Sequence, residues 1–210
     1  MKDIFTQLEE LKVIPVVKIE DSKNAISLAK ALIEGRLPAI EVTLRTDTAI
    51  DSIKKISSEA EILLGAGTVL TITQVKEAIN AGAQFIVTPG LNSKLVKYCL
   101  DNNITIIPGV STPTEIEAAL ELGLKVLKFF PAEAFGGIKT LSAISAPYKG
   151  IRFIPTGGIN QKNLLDYLKL QVVLACGGTW IANEALISKG NFREITRIAK
   201  EVVNLINKES

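Results

Sequence analysis

Thr114-Glu115-Ile116-Glu117-Ala118-Ala119-Leu120-Glu121-Leu122-Gly123-Leu124-Lys125-Val126-Leu127-Lys128-Phe129-Phe130-Pro131 holds one full structural unit of this chain. Residues 114–122 carry apolar side chains three and four apart, the spacing of a helix. Gly123 stands where a glycine closes a helix C-terminus. Residues 125–129 then form a short β-rich run, which Pro131 ends. The same alternation of strand and helix fills the rest of the sequence. Further β-rich runs lie at 13–18, 39–43, 62–66, 84–88, 104–108, 152–155 and 172–176. Between them are helical segments such as Asn24-Ala25-Ile26-Ser27-Leu28-Ala29-Lys30-Ala31-Leu32-Ile33.

Eight such units, spaced at intervals of roughly 20 to 27 residues, are what a (β/α)8 barrel at the short end of its size range requires. A doubly wound open sheet is the alternative, and periodicity does not separate the two. Two details favour the barrel. The strand ends are polar or conformationally special (Glu41, Gly67-Thr68, Pro89, Pro108, Lys128, Pro155), and barrel enzymes build their sites from many strand ends. Paired glycines also follow two successive late strands. The expected fold is therefore α/β, a single (β/α)8 TIM barrel over residues 1–210. An extra N-terminal helix precedes it, with Ile4, Leu8 and Leu11 on one face.

Composition narrows the function. With 210 residues, 47% of them hydrophobic, the chain can bury one sizeable core. A net charge of +2, from 24 basic and 22 acidic residues, leaves no electrostatic footprint for nucleic acid. No apolar run approaches the length of about 20 residues that spans a bilayer. Met1-Lys2-Asp3 runs directly into the first helix with no signal peptide between, so a soluble cytoplasmic protein is expected. Cys99 and Cys176 form no Cys-x-x-Cys pair and read as buried thiols. There is no histidine at all, which removes the commonest metal ligand and the commonest general base. Any chemistry must come from lysine, carboxylates and backbone amides, with no metal and no cofactor.

Lys128 is the first candidate. It is the one amine in the apolar run 126–131, and burial disfavours a lysine's charged form. A neutral amine is a nucleophile toward carbonyls. The bland alternative is a strand-end lysine snorkelling to water. In Glu41-Val42-Thr43-Leu44-Arg45 the β-branched neighbours argue strand, which puts Glu41, Thr43 and Arg45 on one face. Glu41 is then either catalytic or half of an internal ion pair with Lys128 or Arg45. Gly65-Ala66-Gly67-Thr68 offers a hydroxyl for a substrate carboxylate, or a glycine turn with Thr68 as a helix N-cap. Pro155-Thr156-Gly157-Gly158-Ile159 and Cys176-Gly177-Gly178-Thr179-Trp180 follow the seventh and eighth strands. Each Gly-Gly precedes an expected helix start, which in a barrel is the usual phosphate site; tight turns are the alternative.

Taken together, Glu41-Val42-Thr43-Leu44-Arg45-Thr46, Gly65-Ala66-Gly67-Thr68-Val69, Lys128-Phe129-Phe130-Pro131-Ala132-Glu133, Pro155-Thr156-Gly157-Gly158-Ile159 and Gly177-Gly178-Thr179-Trp180 resemble the 2-keto-3-deoxy-6-phosphogluconate (KDPG) / 4-hydroxy-2-oxoglutarate (KHG) aldolase family. The resemblance covers essentially the whole chain. It implies a class I aldolase with Lys128 as the Schiff-base lysine and Glu41 as the proton-transfer residue. Arg45 and Thr68 would hold the substrate carboxylate, and Pro89 and Phe130 would line the pyruvyl pocket. Gly157, Gly158, Gly178 and Thr179 would hold the phosphate, assisted by Lys18. A phosphorylated keto acid as substrate and a homotrimeric assembly are implied as well. Two positions depart from the family pattern: Thr179 replaces a common serine, and Arg36 follows Gly35 where a second glycine is usual. A phosphate-binding isomerase or synthase would share the Gly-Gly loops without needing Lys128. A non-catalytic phospho-sugar sensor could discard Lys128 or Glu41.

Overall fold

The structure, a computed structural model, describes residues 3–209. Met1 and Lys2, which lead into the first helix, and Ser210 lie outside the described residues. Chain order is α1 (Ile4–Leu11), β1 (Val13–Val17), α2 (Ala25–Glu34), β2 (Ala39–Thr43), α3 (Ala49–Glu59), β3 (Leu63–Gly67), α4 (Ile72–Asn80), β4 (Phe85–Val87), α5 (Ser93–Asp101), β5 (Thr105–Ile107), β6 (Gly109–Val110), α6 (Pro113–Glu121), β7 (Val126–Phe129), α7 (Gly137–Ser145), β8 (Arg152–Pro155), α8 (Leu164–Leu168), β9 (Cys176–Gly178), α9 (Glu184–Ser188) and α10 (Phe192–Glu209).

All strand pairings are parallel, and they form two sheets. One is a curled half-barrel of six strands in the order β5-β4-β3-β2-β1-β9; the other has three strands in the order β6-β7-β8. The closed eight-stranded TIM barrel expected from the sequence is not what the ladders make. Two junctions account for the difference. Pro108 has no N–H to give a ladder, so the fifth β-rich run breaks there: β5 stays with β4, while β6 crosses to β7. The last run, expected at 172–176, is divided between two tasks. Val173 donates its N–H back to Leu170 at 2.8 Å, and the ladder to β1 begins only at Cys176. Contact with β8 is left to isolated bridges, Phe153 to Val173 and Thr156 to Gly177.

The strands are buried along nearly their whole length, as parallel strands covered on both faces must be. Their inner faces meet in a core of Ile14, Ala39, Leu63, Phe85, Val87, Ile107, Val126, Ile154 and Leu174. Helix α1 plugs the end of this core at the strands' N-termini: Leu8 is buried in it, with Ile4, Phe5 and Leu11 packed alongside. The outer faces meet the other helices in a second, larger core. With that end plugged, the C-terminal ends of the strands are left to line a cavity.

Helix α6 shows why its sequence stops and starts where it does. Thr112 and Glu115 form a reciprocal capping box, Pro113 occupies the first turn, and Gly123 takes φ 78° just past the end. Arg36 adopts φ 60° in the turn after α2, a left-handed conformation that favours glycine.

Candidate active site

Strand β2 supplies the carboxylate. In its register with β3, Glu41 lies opposite Gly65 and Thr43 opposite Gly67. A Cβ at Gly67 would fall 2.1 Å from Oε1 of Glu41, so the absence of a side chain there is what gives Glu41 its place. Strand β7 supplies the amine. Lys128 sits between Gly109 of β6 and Ile154 of β8. Its Nζ is 3.6 Å from Glu41 Oε1, and the two residues are only 5% and 3% exposed. That separation is an ion-pair distance but too long for a hydrogen bond. Oε1 is buried with no hydrogen-bond partner. A buried carboxylate oxygen without a hydrogen bond is costly, and this one has the Lys128 amine as its ion-pair partner. The Phe130 ring covers the amine, its centroid 4.9 Å from Nζ.

Arg45 is held from below. Its Nε donates to Thr43 Oγ1 at 3.2 Å, and the Thr43 hydroxyl donates to the Val17 carbonyl at 2.8 Å. The guanidinium is thereby tied through Thr43 to β1. Thr68, directly after β3, has φ 57°. For a β-branched residue this is a strained backbone, and strain of this kind gathers at functional sites.

These groups line one cavity of about 200 Å³ at the strand C-termini. It brings together Glu41, Arg45, Thr68, Pro89, Lys128, Phe130, Gly157, Gly158 and Thr179. Two of the expected residues are not part of its wall. Lys18 is ion-paired with Glu20, and with Glu184 at 3.5 Å. Gly178 turns its Cα toward Trp180, whose ring a Cβ there would strike at 1.7 Å. The cavity also includes Val16, Thr43, Thr156, Ile159 and Gly177, which sequence reasoning did not select. Thr43 was within reach, because it shares a strand face with Glu41 and Arg45. Thr156, Ile159 and Gly177 lay inside the quoted glycine motifs, and nothing in the sequence pointed to Val16.

The glycine loops differ from expectation in one respect. Neither leads straight into a helix: α8 begins at Leu164 and α9 at Glu184. After Gly158 the chain makes an asparagine-capped turn. Asn160 and Asn163 side-chain amides donate to the Gly158 carbonyl at 3.0 and 3.2 Å. The N–H groups of Gly158 and Thr179 have no protein acceptor among the described residues.

The two thiols are poor nucleophiles. Burial pushes the Cys99 thiol up to about 11 and drives that of Cys176 higher still. Among the described residues, no three His, Cys, Asp or Glu side chains are grouped so that they could hold a metal ion.

An α/β scaffold that sets one buried lysine amine against one buried carboxylate defines an enzyme of the Schiff-base class. Comparison with known proteins narrows this further. The KDPG and KHG aldolase family model matches residues 4–198, and the chain belongs to that family. It is 47% identical over 207 residues to the 2-dehydro-3-deoxy-phosphogluconate aldolase of Treponema pallidum, covering 98% of this chain and 99% of that protein. It is 45% identical over 208 residues to the KHG/KDPG aldolase of Escherichia coli, covering 97% and 98% respectively. Among solved structures, the KDPG aldolase of Legionella pneumophila, with pyruvate captured as a covalent carbinolamine, superposes with a TM-score of 0.91. That pair is 39% identical, with 96% of this chain and 98% of the other covered.

Proposed function

We propose that the chain is a class I aldolase that reversibly splits 2-keto-3-deoxy-6-phosphogluconate into pyruvate and glyceraldehyde 3-phosphate. The observation that carries this is the buried Lys128–Glu41 pair, 3.6 Å apart in the cavity. The covalent pyruvate adduct of the Legionella relative supports it.

In this reading the Lys128 amine attacks the C2 ketone to give a carbinolamine. Glu41 then gives its proton to the carbinolamine hydroxyl, which leaves as water, so that a protonated imine and an ionised Glu41 remain. Glu41 takes the proton of the C4 hydroxyl as the C3–C4 bond breaks. The bond's electrons move into the imine and form an enamine, and glyceraldehyde 3-phosphate departs. Glu41 returns its proton to C3, and water releases pyruvate from Lys128. Arg45 and Thr68 hold the carboxylate, while Pro89 and Phe130 bound the pyruvyl group. At the other end Gly157, Gly158 and Thr179 hold the phosphate through backbone N–H groups and one hydroxyl, with Gly178, outside the cavity wall, only positioning Thr179. Lys18 reaches the phosphate only by exchanging its Glu20 and Glu184 partners. The E. coli relative's name includes KHG, and 4-hydroxy-2-oxoglutarate shares the pyruvyl half, so it is a second substrate in this reading. On the same reading the enzyme is a cytoplasmic homotrimer, and sedimentation equilibrium tests the assembly.

The test is covalent. Pyruvate with borohydride should fix a reduced adduct on Lys128 and inactivate the enzyme. Lys128→Arg should abolish the adduct, because a guanidinium stays charged, and should lower kcat/KM by more than about 1,000-fold. An adduct on another lysine overturns the assignment.

A further inference from the structure

Tyr167 and Glu133 have no part in the steps above, yet they meet directly beneath the Gly157-Gly158 turn. The Tyr167 side chain is completely buried on α8, and its hydroxyl donates to Oε1 of Glu133, an exposed residue. Burial, and then the Glu133 carboxylate, push the Tyr167 phenol well above its ordinary value, so it stays a donor. The Glu133 stem is part of the turn's floor. Its backbone N–H donates to the Gly157 carbonyl at 3.0 Å, and a Cβ at Gly158 would fall 2.5 Å from its Cγ. The carboxylate itself lies at the first residue of α7, where a Cβ on Gly137 would come 2.6 Å from Oε1. A helix N-terminus favours negative charge there.

A carboxylate on a stem that touches an anion-binding turn is an electrostatic liability, since like charges repel. We propose that Tyr167 is a positioning residue: by holding the Glu133 carboxylate at the start of α7, it lets the Glu133 stem support the phosphate turn while keeping its charge off the substrate's phosphate. This rests on the phosphate reading of Gly157-Gly158 given above.

Tyr167→Phe keeps the ring and releases the carboxylate. The expected result is a KM for 2-keto-3-deoxy-6-phosphogluconate raised about three- to tenfold, with kcat little changed. Inhibition by inorganic phosphate should weaken in parallel. The pyruvate concentration giving half-maximal borohydride trapping should hold, because that pocket is separate. High salt should shrink the KM effect, as it does for a charge interaction but not for a loosened fold. Adding Glu133→Gln to Tyr167→Phe should restore KM, because the stem remains and the charge is gone. An unchanged KM in Tyr167→Phe overturns the proposal, as does a rise that Glu133→Gln fails to reverse or a matching rise in the pyruvate requirement. If inorganic phosphate does not compete with substrate even in the parent, the phosphate reading fails and this inference falls with it.

Discussion

Thr68 keeps a backbone angle that β-branched residues avoid, and it does so at the mouth of the cavity. The left-handed conformation costs about 1–2 kcal/mol for a residue with a Cβ. Thr68→Gly should therefore raise the urea unfolding free energy by about 1 kcal/mol, the gain in strain being partly offset by glycine's greater unfolded-state entropy. The same change removes the hydroxyl proposed to hold the substrate carboxylate, so KM for pyruvyl substrates should rise as stability does. A variant that gains stability with unchanged KM would show that the hydroxyl has no role. Gly67 makes the complementary case. Gly67→Ala puts a methyl group where Glu41 Oε1 now lies. The carboxylate must move, and kcat should fall on the order of 100-fold, the scale of a misplacement of about an ångström. Steady-state kinetics on a variant with native circular dichroism checks this. At this scale the sequence was most readable where residues alternate along one strand, as Glu41, Thr43 and Arg45 do. It offered Glu41 an ion pair with Lys128 or with Arg45 without choosing between them, because the strands of Glu41 and Lys128 are far apart in the chain; the structure puts the Lys128 amine 3.6 Å from Glu41 Oε1. It could not reveal the backbone angle of Thr68, which the surrounding fold imposes.

Helix α6 ties local sequence to pH. Burial works to raise the Glu115 carboxyl, but hydrogen bonds from Ser111 and Thr112 outweigh it and hold the group below its ordinary value of 4.5. The contacts are explicit: the N–H groups of Ser111 and Thr112 donate to Oε2 at 2.7 and 2.9 Å. A carboxyl whose folded pKa is depressed adds stability above its unfolded pKa, and that stability is lost as pH falls through the folded value. Glu115→Gln should thus cost about 0.5–1 kcal/mol at pH 7, with the difference from the parent closing as pH drops below 4.5. Urea melts at pH 7 and pH 3 measure it; a gap that persists unchanged in acid contradicts the assignment. The helix body and its glycine stop were legible from periodicity and Gly123. Its start was less so: residue 114 was the first read as helical, while Pro113 is the first helical residue and Thr112 the cap. The glycine loops do precede helices, as their sequence suggests, but at a distance: after Gly157-Gly158, Asn160 and Asn163 first cap a turn of their own before α8 begins.

For the molecule as a whole, spacing gave the parallel order of strands and the end at which the site lies, because each strand–helix unit announces itself locally. Closure is a different kind of fact. It depends on which backbone donors are left at Pro108 and on how residues 172–178 divide between β1 and β8. Periodicity records neither, so a closed barrel was expected where two sheets are formed. The chemistry was bounded at this scale too, by what the chain lacks. No histidine occurs in the sequence, and no three metal-binding side chains cluster among the described residues. A metal-dependent aldolase needs a cation to stabilise the enolate formed when the carbon–carbon bond breaks. In the proposed mechanism a protonated imine on Lys128 would provide that electron sink, which leaves no step for a metal. Exhaustive dialysis against a chelator should leave kcat/KM within about twofold of the untreated enzyme, a change too small to be a lost transition-state interaction. Lys128→Arg should remain inactive whatever divalent ion is added. Activity that disappears on chelation and returns with a divalent cation would refute the Schiff-base reading, and partial recovery of Lys128→Arg by a cation would point to a second mechanism in the same cavity.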